Sequence, residues 1–80
     1  MIRISKQTRL KPEDIIIKAD QFFGKKGEQL EEKDRNPCCI SFEGSGGYVS
    51  ISIVEDGRMR TVDAETREFE YQVKRFLEKI

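Results

Sequence analysis

Histidine and tryptophan are absent from this chain, its two cysteines are neighbours, and its only prolines are Pro12 and Pro37. Without histidine there is no imidazole to act as a general base near neutral pH, to activate a thiol or hydroxyl, or to hold zinc. Cys38 and Cys39 lie in a segment that reads as extended, where neighbouring side chains project to opposite faces, so neither a shared metal nor a bond between them is expected. Net charge is missing too: fifteen Lys and Arg balance fifteen Asp and Glu. Nothing in that balance draws the chain to nucleic acid or to a membrane surface. No apolar run approaches the ~18 residues of a membrane span, and none near Met1 resembles a signal peptide, so a soluble, cytoplasmic protein is expected.

What is present is a strong period of two. Ile40 and Phe42, then Val49, Ile51 and Ile53, then Val62 and Ala64 alternate with Ser41, Glu43, Ser50, Ser52, Thr61 and Asp63. This is the pattern of antiparallel strands with one apolar and one short, polar face. Gly44-Ser45-Gly46-Gly47 and Glu55-Asp56-Gly57 are the turns between them, with Gly57 suited to positive φ. Ile2 to Arg9 predicts a first strand. A helix over residues 12–23 opens on Pro12, whose fixed φ suits the first helical position, with Glu13 and Asp14 in the turn where the helix dipole favours acids. Gly24 is expected to end it in the left-handed conformation. Glu28 to Lys33 reads as a charged edge strand, joined through Asp34-Arg35-Asn36-Pro37 to the next strand. Thr66 is expected to cap a last helix with Phe69, Val73, Phe76, Leu77 and Ile80 on one stripe.

These elements predict a single α+β domain over residues 1–80. The expected fold is a two-layer sandwich in the order β-α-β-β-β-β-α, with a mostly antiparallel sheet and both helices on its one apolar face. Eighty residues bury only roughly 60 to 65% of their unfolded surface, so one economical core must suffice. Ile16, Phe22, Phe42, Ile51, Phe69, Val73 and Phe76 are its expected members.

The candidate chemistry is sparse. The glycine loop leads into a strand rather than a helix and lacks the Lys and Ser/Thr of a phosphate loop, so it reads as a turn, or as glycines clearing space for a neighbour. Asp63 and Glu65 share the polar face as ordinary solvated charges. No catalytic residue, metal or cofactor is expected. Tyr48, Ser50, Ser52 and Met59 make a flat patch with apolar margins, while Arg58 and Arg60, with Lys25 and Lys26, are candidates for a small basic spot. Together these six residues, Tyr48, Ser50, Ser52, Arg58, Met59 and Arg60, form the candidate partner- or ligand-binding site.

Phe22-Phe23-Gly24, the run from Phe42 to Val49 and the run from Thr66 to Val73 together resemble a family of small stand-alone prokaryotic domains of uncharacterised function. The element order also resembles a shortened helix-grip domain, the fold of lipid-transfer and polyketide-cyclase proteins. The motifs of the first resemblance are structural in character and imply no activity, whereas the second implies a pocket between helices and sheet. The leading expectation is a non-catalytic interaction or self-association module, whose partner is a second copy, another protein or a small ligand, with nucleic acid and membrane disfavoured. A small hydrophobic-ligand binder and an enzyme using the charged sheet face are the alternatives.

Overall fold

Seven elements follow in order in the computed structural model, which describes residues 2–44 and 46–80: β1 (Ile2–Thr8), α1 (Pro12–Phe23), β2 (Glu31–Asn36), β3 (Cys39–Gly44), β4 (Gly47–Asp56), β5 (Met59–Arg67) and α2 (Glu70–Glu78). The strands form one antiparallel sheet in the spatial order β1-β5-β4-β3-β2. α1 therefore carries the chain between the two edge strands, and three hairpins fill the sheet behind it. The expected α+β order is the observed one.

Register explains which face is dry. Ile4, Ala64, Ile51 and Ile40 stand in one cross-strand row, and Ile2, Thr66, Val49 and Phe42 in the next. Ile15, Ile16, Ala19 and Phe23 of α1 and Val73, Phe76 and Leu77 of α2 join these inner residues in a single buried cluster. Both helices thus cover the same side of the sheet. The rings interlock, with Phe23 5.6 Å from Phe42 and 5.3 Å from Phe76 between centroids.

Two expected core members are only half buried. Phe22 lies on the shoulder between the helices, 4.9 Å from Phe23, with the Lys79 ammonium 5.3 Å over its ring. Neighbouring helical residues are ~100° apart, so only one of Phe22 and Phe23 can point straight at the sheet, and Phe23 does. Phe69 is likewise partly buried, at the margin of the core.

The start of α2 differs from expectation because sheet pairing outcompetes capping. β5 continues to Arg67, which pairs with Tyr48, so Thr66 stays inside the sheet, fully buried, and its hydroxyl donates to the Tyr48 carbonyl at 2.7 Å. Only Glu68 and Phe69 remain to turn the chain, and Glu68 takes φ +77°. The glycine turn makes room for this: a Cβ on Gly44 would sit 2.9 Å from Phe69 Cζ, and one on Gly47 2.9 Å from Phe69 Cε2 and 2.7 Å from Glu68 Cβ. Clearing space for a neighbour is thus what Gly44 and Gly47 do. Ser45 lies outside the described residues.

Gly24 does not take the left-handed conformation at the end of α1; its φ is −78° and its N–H bonds Asp20 O at 2.8 Å. The left-handed residue comes later, at Gln29 (φ 62°), after the loop has been tied back by the Glu28 N–H to Phe22 O and the Leu30 N–H to Phe23 O. β2 begins at Glu31, three residues beyond its expected start, and all six of its residues are exposed. It is an edge strand, as its charge implied. Arg35 on it reaches Asp20 of α1 at 3.2 Å and Glu32 at 2.8 Å.

Cys38 and Cys39 are joined by a disulfide, contrary to expectation. The expectation assumed both lay on a strand. β3 begins only at Cys39, and Cys38 belongs to the turn with Pro37, where strand alternation no longer separates the side chains. Asn36 Oδ1 accepts the Cys38 N–H at 3.1 Å and lies 3.0 Å from its Sγ, a close contact rather than a hydrogen bond, since a bonded sulfur has no proton to give.

This packing sets three expectations for stability, all read from urea unfolding midpoints. Phe23→Ala should cost ~3–5 kcal/mol, whereas Phe22→Ala should cost clearly less, because part of that ring is already in water. Glu68→Gly should leave stability unchanged or raise it by up to ~1 kcal/mol by removing the left-handed strain. Gly47→Ala should be clearly destabilising, since backbone and the Phe69 ring occupy the space its methyl needs.

Candidate interaction surface

Because the helices cover one face, alternate residues on the other are left without a covering layer among the described residues. This outer face carries Ser41 on β3, Tyr48, Ser50, Ser52 and Val54 on β4, Met59, Thr61, Asp63 and Glu65 on β5, and Arg3, Ser5 and Gln7 on β1. Antiparallel pairing sets them in rows: Arg3, Glu65, Ser50 and Ser41 in one, and Ser5, Asp63, Ser52 and Cys39 in the next. The centre is made of short serine side chains, each half buried by its strand neighbours. Val54, 56% exposed, and the half-buried Met59 lie toward one end, and Tyr48 toward the other.

Both carboxylates of β5 on this face have partners. The Tyr48 hydroxyl donates to Glu65 Oε2 at 3.0 Å, and the Ser5 hydroxyl bonds Asp63 Oδ1. Partial burial, together with the hydrogen bond and negative charge of Glu65, raises the Tyr48 hydroxyl above its usual pKa, with Arg67 acting weakly in the opposite sense. Tyr48 is therefore held neutral and oriented. Beside it a recess of about 540 Å³ is lined by Lys33, Ser41, Glu43, Gly46, Gly47 and Arg67 among others. Lys33 spans it at 3.3 Å from Glu31 and 3.8 Å from Glu43.

The structure divides the six residues singled out from the sequence. Tyr48, Ser50, Ser52 and Met59 share the outer face. Arg60 is in register with Thr8 and Glu55 on the helix side, where its guanidinium donates to Arg9 O at 3.3 Å and its Nε lies 3.6 Å from Glu55 without a hydrogen bond. Arg58 sits exposed in the β4–β5 turn. Lys25 and Lys26 line a recess with Leu30, Glu31 and Glu32, and Glu31 pairs with Glu43 beside the glycine turn. That is the opposite end of the sheet from the turn holding Arg58, so no joint basic spot forms.

Sequence reasoning missed the partners rather than the patch. Tyr48–Glu65 follows from the pairing of Tyr48 with Arg67, which sets Glu65 diagonally across from it, and such a register is not visible before the strands are aligned. No three His, Cys, Asp or Glu side chains gather as a metal site among the described residues, and no helix there is long and apolar enough to cross a membrane. No family model, curated protein or solved structure matches the chain.

The tyrosine contact is open to titration. A folded-state pKa raised above the usual 10.0 means that folding favours the neutral phenol, so this contribution is complete below pH ~10 and is lost as pH rises through the folded value. In a Tyr71→Phe background, the phenolate absorbance of Tyr48 should appear above that pH, and Glu65→Gln should move it down.

Proposed function

We propose that this domain is a non-catalytic interaction module that self-associates through the uncovered face of its sheet. The observation that carries this reading is the contrast between the two sides of the sheet: one is sealed by two helices and a filled core, while the other holds a field of short side chains, Ser41, Ser50 and Ser52, with no layer over it among the described residues. Short side chains let a second sheet approach closely, and sheets stack at ~10 Å. Arg3, Lys33 and Arg67 stand among Glu43, Asp63 and Glu65, so this one face carries both signs of charge, which a self-complementary interface can pair. Tyr48, Val54 and Met59 supply apolar contact toward its margins.

The packing disfavours the ligand-binding alternative. A helix-grip pocket needs ~300 Å³ of apolar space between helices and sheet, and Phe23, Phe42 and Phe76 occupy that region. The third reading, an enzyme using the charged face, is weakened by Asp63 and Glu65 already serving as acceptors for Ser5 and Tyr48.

Sedimentation over a range of concentrations tests the proposal. The parent chain should shift toward twice its mass as concentration rises. Ser50→Arg should remain monomeric while melting close to the parent, and Tyr48→Glu should remain monomeric but melt lower, because Glu43 and Glu65 lie across from it. A parent that stays monomeric throughout, or variants that associate equally well, would remove this interface.

A further inference from the structure

The two edges of the sheet are not alike, and the difference points to a second binding site. β2 is blunted: its six exposed residues are all polar or charged, its pairing with β3 shifts between Glu32 and Asp34, and Lys33 and Arg35 are engaged by Glu31, Glu43, Asp20 and Glu32. A bulge and inter-paired charges are the ordinary means of stopping an edge from recruiting another strand. β1 has neither a bulge nor charges paired along its own length, and its one such guard is Lys6, turned inward. Its seven residues pair with β5 without interruption from Ile2–Thr66 to Thr8–Arg60, and no strand flanks its other side among the described residues. Half of its backbone N–H and C=O groups therefore face outward in the spacing that another strand would match.

The charge of this edge specifies what would add to it. From Ile2 to Pro12 the chain carries Arg3, Lys6, Arg9 and Lys11 and no acid. Arg3 already has Glu65 across from it on β5, and its outward side is open to a second carboxylate. Lys6 is turned inward, its ammonium donating to Leu77 O at 2.5 Å near the end of α2. Between β1 and α2 a recess of about 330 Å³ is lined by Ile4, Ser5, Lys6, Lys74, Leu77 and Glu78. Ile4 and Leu77 give it an apolar floor, and two lysines outweigh the single Glu78 at its rim.

We propose that the free edge of β1 binds an extended acidic segment of another protein as a sixth strand, with aliphatic residues on the α2 side and Asp or Glu alternating with them beside Arg3 and Arg9. The period-two alternation of a strand meets both requirements at once. A second copy of this chain is a poorer occupant, because β1 set against β1 brings two basic strands together. The edge site borders the sheet face through which the domain is proposed to self-associate and shares Arg3 with it; the responses of Ser41, Ser50 and Ser52 belong to the face alone and tell the two apart.

The test uses the whole isotope-labelled chain and a peptide of about ten residues alternating valine and glutamate, with a valine–lysine peptide as control. Adding the acidic peptide should shift the backbone amides of Ile2–Thr8 and of Leu77 saturably, leave Glu31–Asn36 in place, and do so much more weakly in high salt. The lysine peptide should leave the spectrum unchanged. Combining Arg3→Glu with Arg9→Glu, both at exposed positions, should weaken the acidic peptide by about tenfold or more with a folded spectrum retained. Absence of shifts at millimolar peptide, shifts confined to β2 or to Ser41, Ser50 and Ser52, or equal response to the two peptides would overturn the proposal. So would unchanged affinity in the double variant. Should that variant unfold, the salt dependence and the lysine control decide the matter alone.

Discussion

Everything in this fold depends on the register of β4 against its two neighbours. β4 pairs with β3 from Gly47 to Ser52 and with β5 from Tyr48 to Asp56, so the placement of Val49, Ile51 and Ile53 decides the face of nearly every other strand residue. Side chains alternate with a period of two, and a slip of one residue would carry Ile40, Phe42, Val62 and Ala64 into water together. The helices have no independent claim to stability at twelve and nine residues, and form because this dry face offers a place to bury their stripes. With so few residues there is one such face, and among the described residues nothing covers the other.

That one-sidedness links stability to the proposed binding. Residues whose work is to hold the fold gather toward the helices, where Phe23, Phe42 and Phe76 interlock. Residues available to a partner gather on the opposite face and on the β1 edge. The glycine turn joins the two roles: Gly44 and Gly47 admit the Phe69 ring and so let α2 start two residues after β5. The same turn borders the recess beside Tyr48. A substitution there would disturb both the lid of the core and the end of the outer face.

The period of two made the sheet legible, and Pro12 with its following acids marked the start of α1 within a residue. Legibility ended where two local rules competed. Thr66 satisfies a capping pattern, but pairing with Val49 holds it in β5. Phe22 and Phe23 fit the same stripe, and only the approach of α2 shows which ring is enclosed. Cys38 and Cys39 were separated by assuming a strand that begins one residue later than expected. Tyr48, Ser50, Ser52 and Met59 could be grouped from alternation alone, whereas Arg60 was misplaced because it has the parity of Val62 and Ala64 and so turns to the helix side. Contacts between distant segments, such as Tyr48 with Glu65 and Arg35 with Asp20, needed the aligned structure.

The claim that one face of the sheet is sealed and the other bare is tested most directly by a soluble paramagnetic agent added to the labelled protein at high dilution. The account predicts strong broadening of side-chain signals from Ser41, Ser50 and Ser52, with Val49, Ile51 and Ala64 on the helix side of the same sheet left sharp. Equal protection of both sets at the lowest concentration, or broadening of Ile51 and Ala64, would contradict it.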